Sequence, residues 1–299
     1  MMKLNTLVKI VFLIIGAIIP VVFSQSCSHK DAAGKEKPII TVSIMPQKFF
    51  VEKIAGDKFY INVMIPPGAN HENYDPSPMQ IASLAKTTVY FQIGNIEFEN
   101  TWIARFSDIY PDLKIVNLSQ HLSNIENAGD NRHGFYEPHT WMSPVNVSIM
   151  ADEILRTLTE IDREDSVYFL GNCTHFKTEI DSINKLIHQK LKSPVSRSFI
   201  IYHPALTYYA KDFGLKQYPL EIEGKSPSPY VLKGIIELAK KEGIKTIVVQ
   251  KQFDQSKARV IADEIGGTII TIDPTAYLWT TEIMEITEKL SVSLNHTVR

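Results

Sequence analysis

The chain has 299 residues, of which 44% are apolar and 21% are charged, and its formal net charge at pH 7 is −2. These fractions are typical of a folded globular protein, and the length fits about two domains. A weakly acidic chain without a basic stripe is a poor match to nucleic-acid binding, so we expect no nucleic-acid partner.

The first 26 residues have the pattern of a secretory signal peptide. Their apolar run, residues 10–23, follows two lysines and is shorter than the roughly 20 residues of a membrane-spanning helix. An uncleaved anchor is the alternative. Cys27 lies where a cysteine is lipidated after cleavage, although Ser24 stands where leucine is more usual. We therefore expect an exported, membrane-anchored lipoprotein facing the periplasm or the cell exterior, with residues 27–37 as lipidated cysteine and flexible tether.

Predicted strands and helices alternate in both halves of the chain. Strands are predicted in the first half at 39–43, 59–65, 89–93 and 114–117, with helices at 49–55 and 79–86. In the second half strands are predicted at 198–202, 245–250 and 268–272, with helices at 207–213, 230–242, 256–265 and 281–294. This alternation favours an α/β fold with mainly parallel sheets flanked by helices.

A long helical stretch separates the two halves. Ser143 and Pro144 predict a helix start, and that helix is expected to run to about residue 161. A second helix, predicted from about 163 to 191, would be roughly 40 Å long and could join both lobes. Two shorter helices with a kink are the alternative. The predicted domains are an N-terminal lobe at 38–162, a linking helix at 163–192 and a C-terminal lobe at 193–299.

Four candidate metal ligands stand out by their positions. His71, His203 and Asp273 each follow a predicted strand, and His139 lies shortly before the helix start at Ser143. In open α/β sheets, ligands bind in the loops beyond the carboxyl ends of the strands. Each half supplies two of the four residues, so one cleft between lobes could gather them. Taken alone, each histidine could equally be a surface or hydrogen-bonded residue, and Asp273 could simply start a turn.

The residue types match the ligand chemistry of zinc. Imidazole nitrogens and carboxylate oxygens are usual zinc ligands, and four of them complete a tetrahedral shell. Manganese sites prefer more carboxylates, so His203 is the main indication of zinc. A full shell leaves no place for water, which is typical of a site that holds metal and argues against an enzyme. The remaining histidines are predicted to be surface or hydrogen-bonded residues: His121, His133, His175, His188 and His296.

Four ordered segments resemble those of the metal-binding solute-binding lipoproteins of ABC transporters, specifically their zinc-uptake branch. The segments are PGANHENYDPSP (67–78), EPHTWMSP (137–144), YHPALTYYAKDFGL (202–215) and TIDP (271–274), and GKSPSP (224–229) and QFD (252–254) also fit. The likeness covers nearly all of residues 39–294. It implies two α/β lobes joined by one long helix that limits lobe motion. It also implies an interface ion bound by His71, His139, His203 and Asp273.

The resemblance implies a function as well. The chain would be a monomeric, high-affinity zinc receptor that delivers the ion to its cognate ABC permease. A manganese or iron receptor of the same family is the first alternative. A zinc hydrolase with water in the shell is a second, but the sequence has no His-Glu-x-x-His helix. A secondary adhesin role is neither supported nor excluded.

The chain departs from the family pattern in two places. Members dedicated to zinc often carry a long histidine- and acid-rich loop before the second ligand, whereas residues 123–136 are few and hold one histidine. Ser143 stands where aspartate is common, so a carboxylate beside His139 is expected to be missing. Glu72 and Tyr202 adjoin the ligand histidines and are candidates to support them, and whether Glu72 is itself a ligand stays open.

Overall fold

The computed structural model describes residues 36–123, 125, 136–221, 227–253 and 255–295. The predicted signal peptide, Cys27, His133 and His296 lie outside these residues. Among the described helices, none combines the length and the apolar character needed to cross a membrane.

Eight strands in the described part of the chain form two four-stranded sheets. The first sheet contains β1 (Ile39–Val42), β2 (Tyr60–Val63), β3 (Thr87–Gln92) and β4 (Lys114–Asn117), in the order β2-β1-β3-β4. The second contains β5 (Ser198–Ile201), β6 (Lys216–Pro219), β7 (Thr246–Gln250) and β8 (Thr268–Ile272), in the order β6-β5-β7-β8. Every pairing is parallel. Both halves therefore have the same strand order.

Helices connect the strands and cover the sheets. In chain order they are α1 (Met45–Ala55), α2 (Pro78–Ser83), α3 (Glu97–Ile109), α4 (Pro144–Ile161), α5 (Ser166–Lys190), α6 (Thr207–Asp212), α7 (Pro229–Glu242), α8 (Ser256–Ile265) and α9 (Trp279–Leu294). Short 3₁₀ helices occur at Leu84–Lys86 and Thr140–Met142. The predicted α/β class with mainly parallel sheets is confirmed.

Two elements were not predicted from the sequence. Helix α3 places Phe98, Trp102 and Phe106 at every fourth position, a helical spacing outside the predicted elements. Strand β6 reads KQYP, has no fully buried position and lies at a sheet edge. Such a short, polar edge strand gives no hydrophobic run to recognise.

The long helix α5 connects the two halves without interruption. It has 25 residues and is therefore about 38 Å long. Its buried face packs against α1 of the first half, α9 of the second half and the preceding helix α4. Six side chains form this face: Phe169, Cys173, Phe176, Ile180, Ile183 and Ile187. Because α5 is one continuous helix, the alternative of two shorter helices with a kink is wrong.

One hydrophobic core extends across both sheets. It contains Ile40 and Phe91 from the first sheet and Phe199 and Ile272 from the second. A smaller second cluster contains Ile247 and neighbouring side chains of the second half. The main core therefore contains residues of both halves.

Two buried tryptophans connect the two halves by hydrogen bonds at this shared core. The indole N–H of Trp279 donates to the carbonyl oxygen of Trp141 (2.8 Å), and the indole N–H of Trp141 donates to the carbonyl oxygen of Pro274 (2.8 Å). Both indoles are almost fully buried. Trp279 also packs edge-to-face on Phe50 of α1, with ring centroids 5.5 Å apart. The loop that follows β8 is thereby tied to the first half.

A buried carboxylate organises the end of the first sheet. Glu99, near the start of α3, accepts hydrogen bonds from the Ser43 hydroxyl and from the backbone N–H groups of Ile93 and Gly94 (2.7 Å each). Gly94 has φ +96°, a conformation that side chains other than glycine rarely adopt. Burial raises the pKa of Glu99 from 4.5 to about 7, against the opposing effect of these hydrogen bonds.

This pKa predicts a pH dependence of stability. Because the folded-state pKa lies above the unfolded-state value, the stabilisation from this group is fully present below about pH 4.5 and is lost as the pH rises through 7. We compare the free energy of unfolding of the parent with that of Glu99→Gln. The difference between the two is expected to change by up to about 3 kcal/mol between pH 4.5 and pH 8. Urea titrations across this range measure it, and a pH-independent difference contradicts it.

Candidate metal centre

The predicted ligand residues lie in loops that begin where strands end. His71 lies between β2 and α2, and its carbonyl oxygen accepts a hydrogen bond from the backbone N–H of Phe98 (3.4 Å). His139 precedes α4 by one short 3₁₀ helix, His203 follows β5, and Asp273 directly follows β8. Three of the four thus lie beyond the carboxyl ends of parallel strands, where α/β sheets bind ligands.

Three buried imidazoles converge on one point. The Nε2 atom of His139 lies 3.2 Å from Nε2 of His71 and 3.3 Å from Nε2 of His203. The three residues are only 6%, 1% and 5% exposed for His71, His139 and His203 respectively. An ion bound tetrahedrally at 2.0–2.1 Å has ligand atoms about 3.3 Å apart. The two separations from His139 therefore match edges of a tetrahedral zinc site, and all three nitrogen atoms lie within 4.8 Å of one another.

Two carboxylates fix which ring nitrogens face this point. Nδ1 of His139 is hydrogen-bonded to Glu137 Oε1, and Nδ1 of His203 lies 3.0 Å from Glu221 Oε2. An ionised carboxylate only accepts hydrogen bonds, so Nδ1 carries the proton in both rings, and in the neutral form of each ring Nε2 presents a lone pair. Two lone pairs facing each other at 3.3 Å repel unless a cation lies between them. The arrangement fits a bound cation.

The pKa values of His71 and His203 are shifted in opposite directions. Burial, together with the charges of His139 and His203, holds the pKa of His71 well below its usual value. Burial also lowers the pKa of His203, but the hydrogen bond to Glu221 and the negative charge of Glu72 outweigh it, so that pKa is raised. His71 is therefore neutral near pH 7, with the protonation state that a metal ligand needs.

Contrary to one expectation from the sequence, a carboxylate does lie beside His139. We expected it to be missing because serine occupies position 143, but Glu137 supplies it from two residues before His139. Burial raises the pKa of Glu137, yet the charge and hydrogen bonds of His139 outweigh this and lower it. The hydroxyl of Thr207 donates to Glu137 Oε2 (3.1 Å). Ser143 instead caps helix α4, with its Oγ accepting from the backbone N–H of Asn146.

Glu221 was missed for a different reason. It follows β6, the unpredicted strand, and it meets His203 only because β5 and β6 are neighbours in the sheet. The two residues are 18 positions apart in the chain, so local sequence gives no signal. In contrast, the Glu-x-His spacing of Glu137 and His139 was visible in the sequence and could have been interpreted.

Asp273 does not join the three histidines in this structure. Its Oδ1 atom accepts hydrogen bonds from Gln252 Nε2 (2.9 Å) and from the Thr275 hydroxyl (3.0 Å), and its Oδ2 atom lies 3.8 Å from Lys251 Nζ. Among the described residues, the group of metal-binding side chains around His139 contains His71 and His203 but not Asp273. The carboxylate thus bonds to its own loop through Thr275 and to the loop after β7 through Gln252.

The two candidate supporting residues occupy different surroundings. Glu72 Oε1 lies 3.3 Å from His203 Nε2, and the Glu72 side chain is 28% exposed. Tyr202 is buried in the second core cluster, where its ring packs against Phe253 with centroids 5.4 Å apart. Glu72 therefore contacts His203 from the first half, whereas Tyr202 packs into the interior of the second half.

The hydrogen bond to Glu137 predicts a measurable effect on metal affinity. We expect Glu137→Gln to weaken zinc binding by about 10- to 100-fold, because an amide no longer orients the His139 ring or balances the ion's charge. Competition with a chromophoric chelator measures the affinity. Glu237→Gln, at an exposed position on α7, is the matched control and should bind as the parent does. Equal affinity of the two variants contradicts the prediction.

Comparison with known proteins is consistent with this geometry. A sequence model of the family described as the periplasmic zinc-uptake complex component A matches residues 40–284. The chain belongs to this family. The high-affinity zinc uptake system protein ZnuA of Bacillus subtilis is 25% identical over 258 residues, which cover 82% of this chain and 80% of that protein. The zinc-uptake component A family consists of solute-binding proteins of ABC transporters.

Other members support the same assignment. The zinc-binding lipoprotein AdcA of Streptococcus pneumoniae strain R6 is 27% identical over 270 residues, covering 84% of this chain and 52% of AdcA. A crystal structure of a ZnuA deletion mutant with zinc bound is 31% identical, has a TM-score of 0.82, and covers 88% of this chain and all of that chain. Members named for another ion also match, since the iron-binding protein YfeA of Yersinia pestis is 23% identical over 252 residues, covering 81% of this chain and 79% of YfeA.

Proposed function

We propose that this chain is an extracytoplasmic receptor that binds one zinc ion through the Nε2 atoms of His71, His139 and His203. The receptor then delivers the ion to its cognate ABC permease. The observation that carries the proposal is the convergence of three buried imidazoles, with Nε2 of His139 at 3.2 and 3.3 Å from the other two Nε2 atoms and carboxylates at Nδ1 of His139 and His203. Membership of a family of metal receptors supports it.

The charges around the site favour a divalent ion. Three neutral imidazoles add no charge, and the buried carboxylates Glu137 and Glu221 together add two negative charges. A zinc ion would neutralise these two charges. Buried carboxylates are costly in a medium of low dielectric constant unless a positive charge lies near them, and a bound ion would supply it.

Zinc is favoured over manganese or iron by the nitrogen-rich ligand set. Imidazole suits zinc, whereas manganese sites use mostly carboxylate, carbonyl and water oxygens. A manganese or iron receptor is the alternative, and the iron-binding relative YfeA makes it a concrete one. Affinity alone does not separate these ions in the cell, because zinc binds most such sites more tightly than manganese or ferrous iron does.

A role as a receptor also agrees with the narrowness of the site. Three histidine ligands with an open fourth position occur in catalytic zinc enzymes. Here the three residues are at most 6% exposed, which leaves little access for a substrate larger than the ion itself. We therefore propose binding without catalysis.

We also propose that residues 1–26 are removed on export and that Cys27 carries the lipid anchor. Residues 27–37 would then be the tether, with the lobes at 38–162 and 193–299 joined by the helix at 163–192. The names of relatives such as the lipoprotein AdcA support this proposal. Mass spectrometry of the protein extracted from membranes tests it, because a Cys27→Ser variant should lack the lipid mass and leave the membrane fraction.

The metal assignment is tested by native mass spectrometry of the purified full chain. The protein is stripped with a chelator and then offered zinc and manganese in competition. One tightly held zinc ion per chain is the expected result. Preferential retention of manganese would favour the alternative of a manganese receptor. No specific uptake of either ion would overturn the proposal.

A further inference from the structure

The carboxylate that orients His139 is held in turn by a side chain of the second half. Glu137 and His139 precede α4 in the first half, whereas α6 follows His203 in the second. The hydroxyl of Thr207, the first residue of α6, donates to Glu137 Oε2 (3.1 Å), while Glu137 Oε1 is bonded to the His139 ring. The two oxygens of this carboxylate thus bond to two different halves of the molecule.

A glutamine on strand β6 fixes the direction of this hydroxyl. The Nε2 atom of Gln217 donates to Thr207 Oγ1 (2.9 Å), and its Oε1 atom accepts the backbone N–H of Leu206 (3.0 Å). A hydroxyl has one proton to donate, and the two acceptors within reach are Glu137 Oε2 and the carbonyl oxygen of Pro204 (3.0 Å). The ionised carboxylate is the stronger acceptor, so the proton is directed to Glu137.

Strand β6 therefore supports two of the three histidines. Glu221, just after the end of β6, bonds to Nδ1 of His203 (3.0 Å). Gln217, within β6, reaches His139 through the hydroxyl and the carboxylate described above. An edge strand that carries no candidate ligand thus holds two ligand rings in place.

Two further side chains of α6 hold the same segment by other atoms. The hydroxyl of Tyr208 donates to the carbonyl oxygen of Glu137 (3.3 Å), and the Asp212 carboxylate accepts the hydroxyl of Ser143. Neither contact involves the Glu137 carboxylate. Loss of the Thr207 hydroxyl should therefore leave the backbone of this segment in place and release only the carboxylate.

We propose that Thr207 is a positioning residue for zinc binding. Its hydroxyl, fixed by Gln217, holds the Glu137 carboxylate so that the other carboxylate oxygen orients the His139 ring. Without this donor, one oxygen of a buried carboxylate would lose its partner, and the carboxylate and the ring would no longer have a single orientation. This inference rests on the proposed function, since it concerns the same zinc ion.

Two substitutions at position 207 separate the hydroxyl from the shape of the side chain. Thr207→Val keeps the shape and removes the hydroxyl, and we expect it to weaken zinc binding by about three- to tenfold. Thr207→Ser keeps the hydroxyl and is expected to bind within about twofold of the parent. Chelator competition measures these affinities, and thermal unfolding of the metal-free proteins checks that each variant is folded. Thr178→Val is the matched control, because that hydroxyl is exposed and bonds within α5.

A double-mutant cycle tests whether Thr207 acts through Glu137. In the Glu137→Gln background the hydroxyl has no carboxylate to hold, so adding Thr207→Val should weaken zinc binding by less than about twofold. An equal loss in both backgrounds would mean that the hydroxyl acts by another route, and it would overturn the inference. Parent affinity in Thr207→Val, or a Thr207→Ser variant as weak as Thr207→Val, would also overturn it. A parent chain that binds no zinc would instead overturn the proposed function.

Discussion

Replacing His139 by alanine is expected to weaken zinc binding by at least about a hundredfold, more than the loss of a residue that only orients a ligand. His139 is the central residue of the group, because its Nε2 atom is the one close to both His71 and His203. Its loss would remove one bond to the ion, and the buried Glu137 would lose its hydrogen bond with the His139 ring. Isothermal titration with a competing chelator measures the affinity.

His188→Ala is the matched control for this experiment. His188 lies on α5 and packs against Phe213 with ring centroids 4.9 Å apart, outside the group of three histidines. We expect its zinc affinity to stay within about twofold of the parent. If the two alanine variants lost affinity equally, the assignment of His139 as a ligand would be wrong.

The second large effect is expected at the tryptophan that fastens the halves. Trp279→Ala should lower the free energy of unfolding by about 3–5 kcal/mol, because it removes a fully buried indole and leaves a cavity beside Phe50. Trp279→Phe keeps most of the apolar volume but leaves the Trp141 carbonyl oxygen without its donor, so we expect a loss of about 1–3 kcal/mol. Guanidinium titration monitored by circular dichroism measures both.

Trp102→Ala provides the comparison for a tryptophan outside the shared core. Trp102 lies on α3, is only partly buried, and its indole N–H donates to Asp75 (3.2 Å). Its replacement should cost less than that of Trp279. A larger loss at position 102 than at position 279 would refute the role given to the interface tryptophan.

Much of the fold could be predicted from the sequence because its signals are local. Buried parallel strands such as β7 read as continuous apolar runs, and the start of α4 is marked by a capping Ser143 and a following proline. The three histidines were recognisable because each lies at a fixed place relative to a strand end or a helix start. Position in the fold, more than residue type, separates them from His188.

The remaining features depend on contacts that no local pattern records. Glu221 supports His203 only through the pairing of β5 with β6, and the orientation of Asp273 depends on Gln252, 21 residues earlier in the chain. The proximity of Glu72 to His203 depends on how the two halves pack. Sequence position predicted which loops meet at the site, while the direction of each carboxylate required the folded structure.

The shared core has a consequence for how the whole chain responds to its ion. Because the main core contains residues of both sheets, we expect residues 38–299 to unfold as one cooperative unit. An ion that binds only the native state then protects helices far from the site as much as those beside it, by about 4 kcal/mol at a thousandfold excess over Kd. Bound metal is thus expected to stabilise the entire fold. Proteases that cut the unfolded chain should then be slowed equally at every cleavage site.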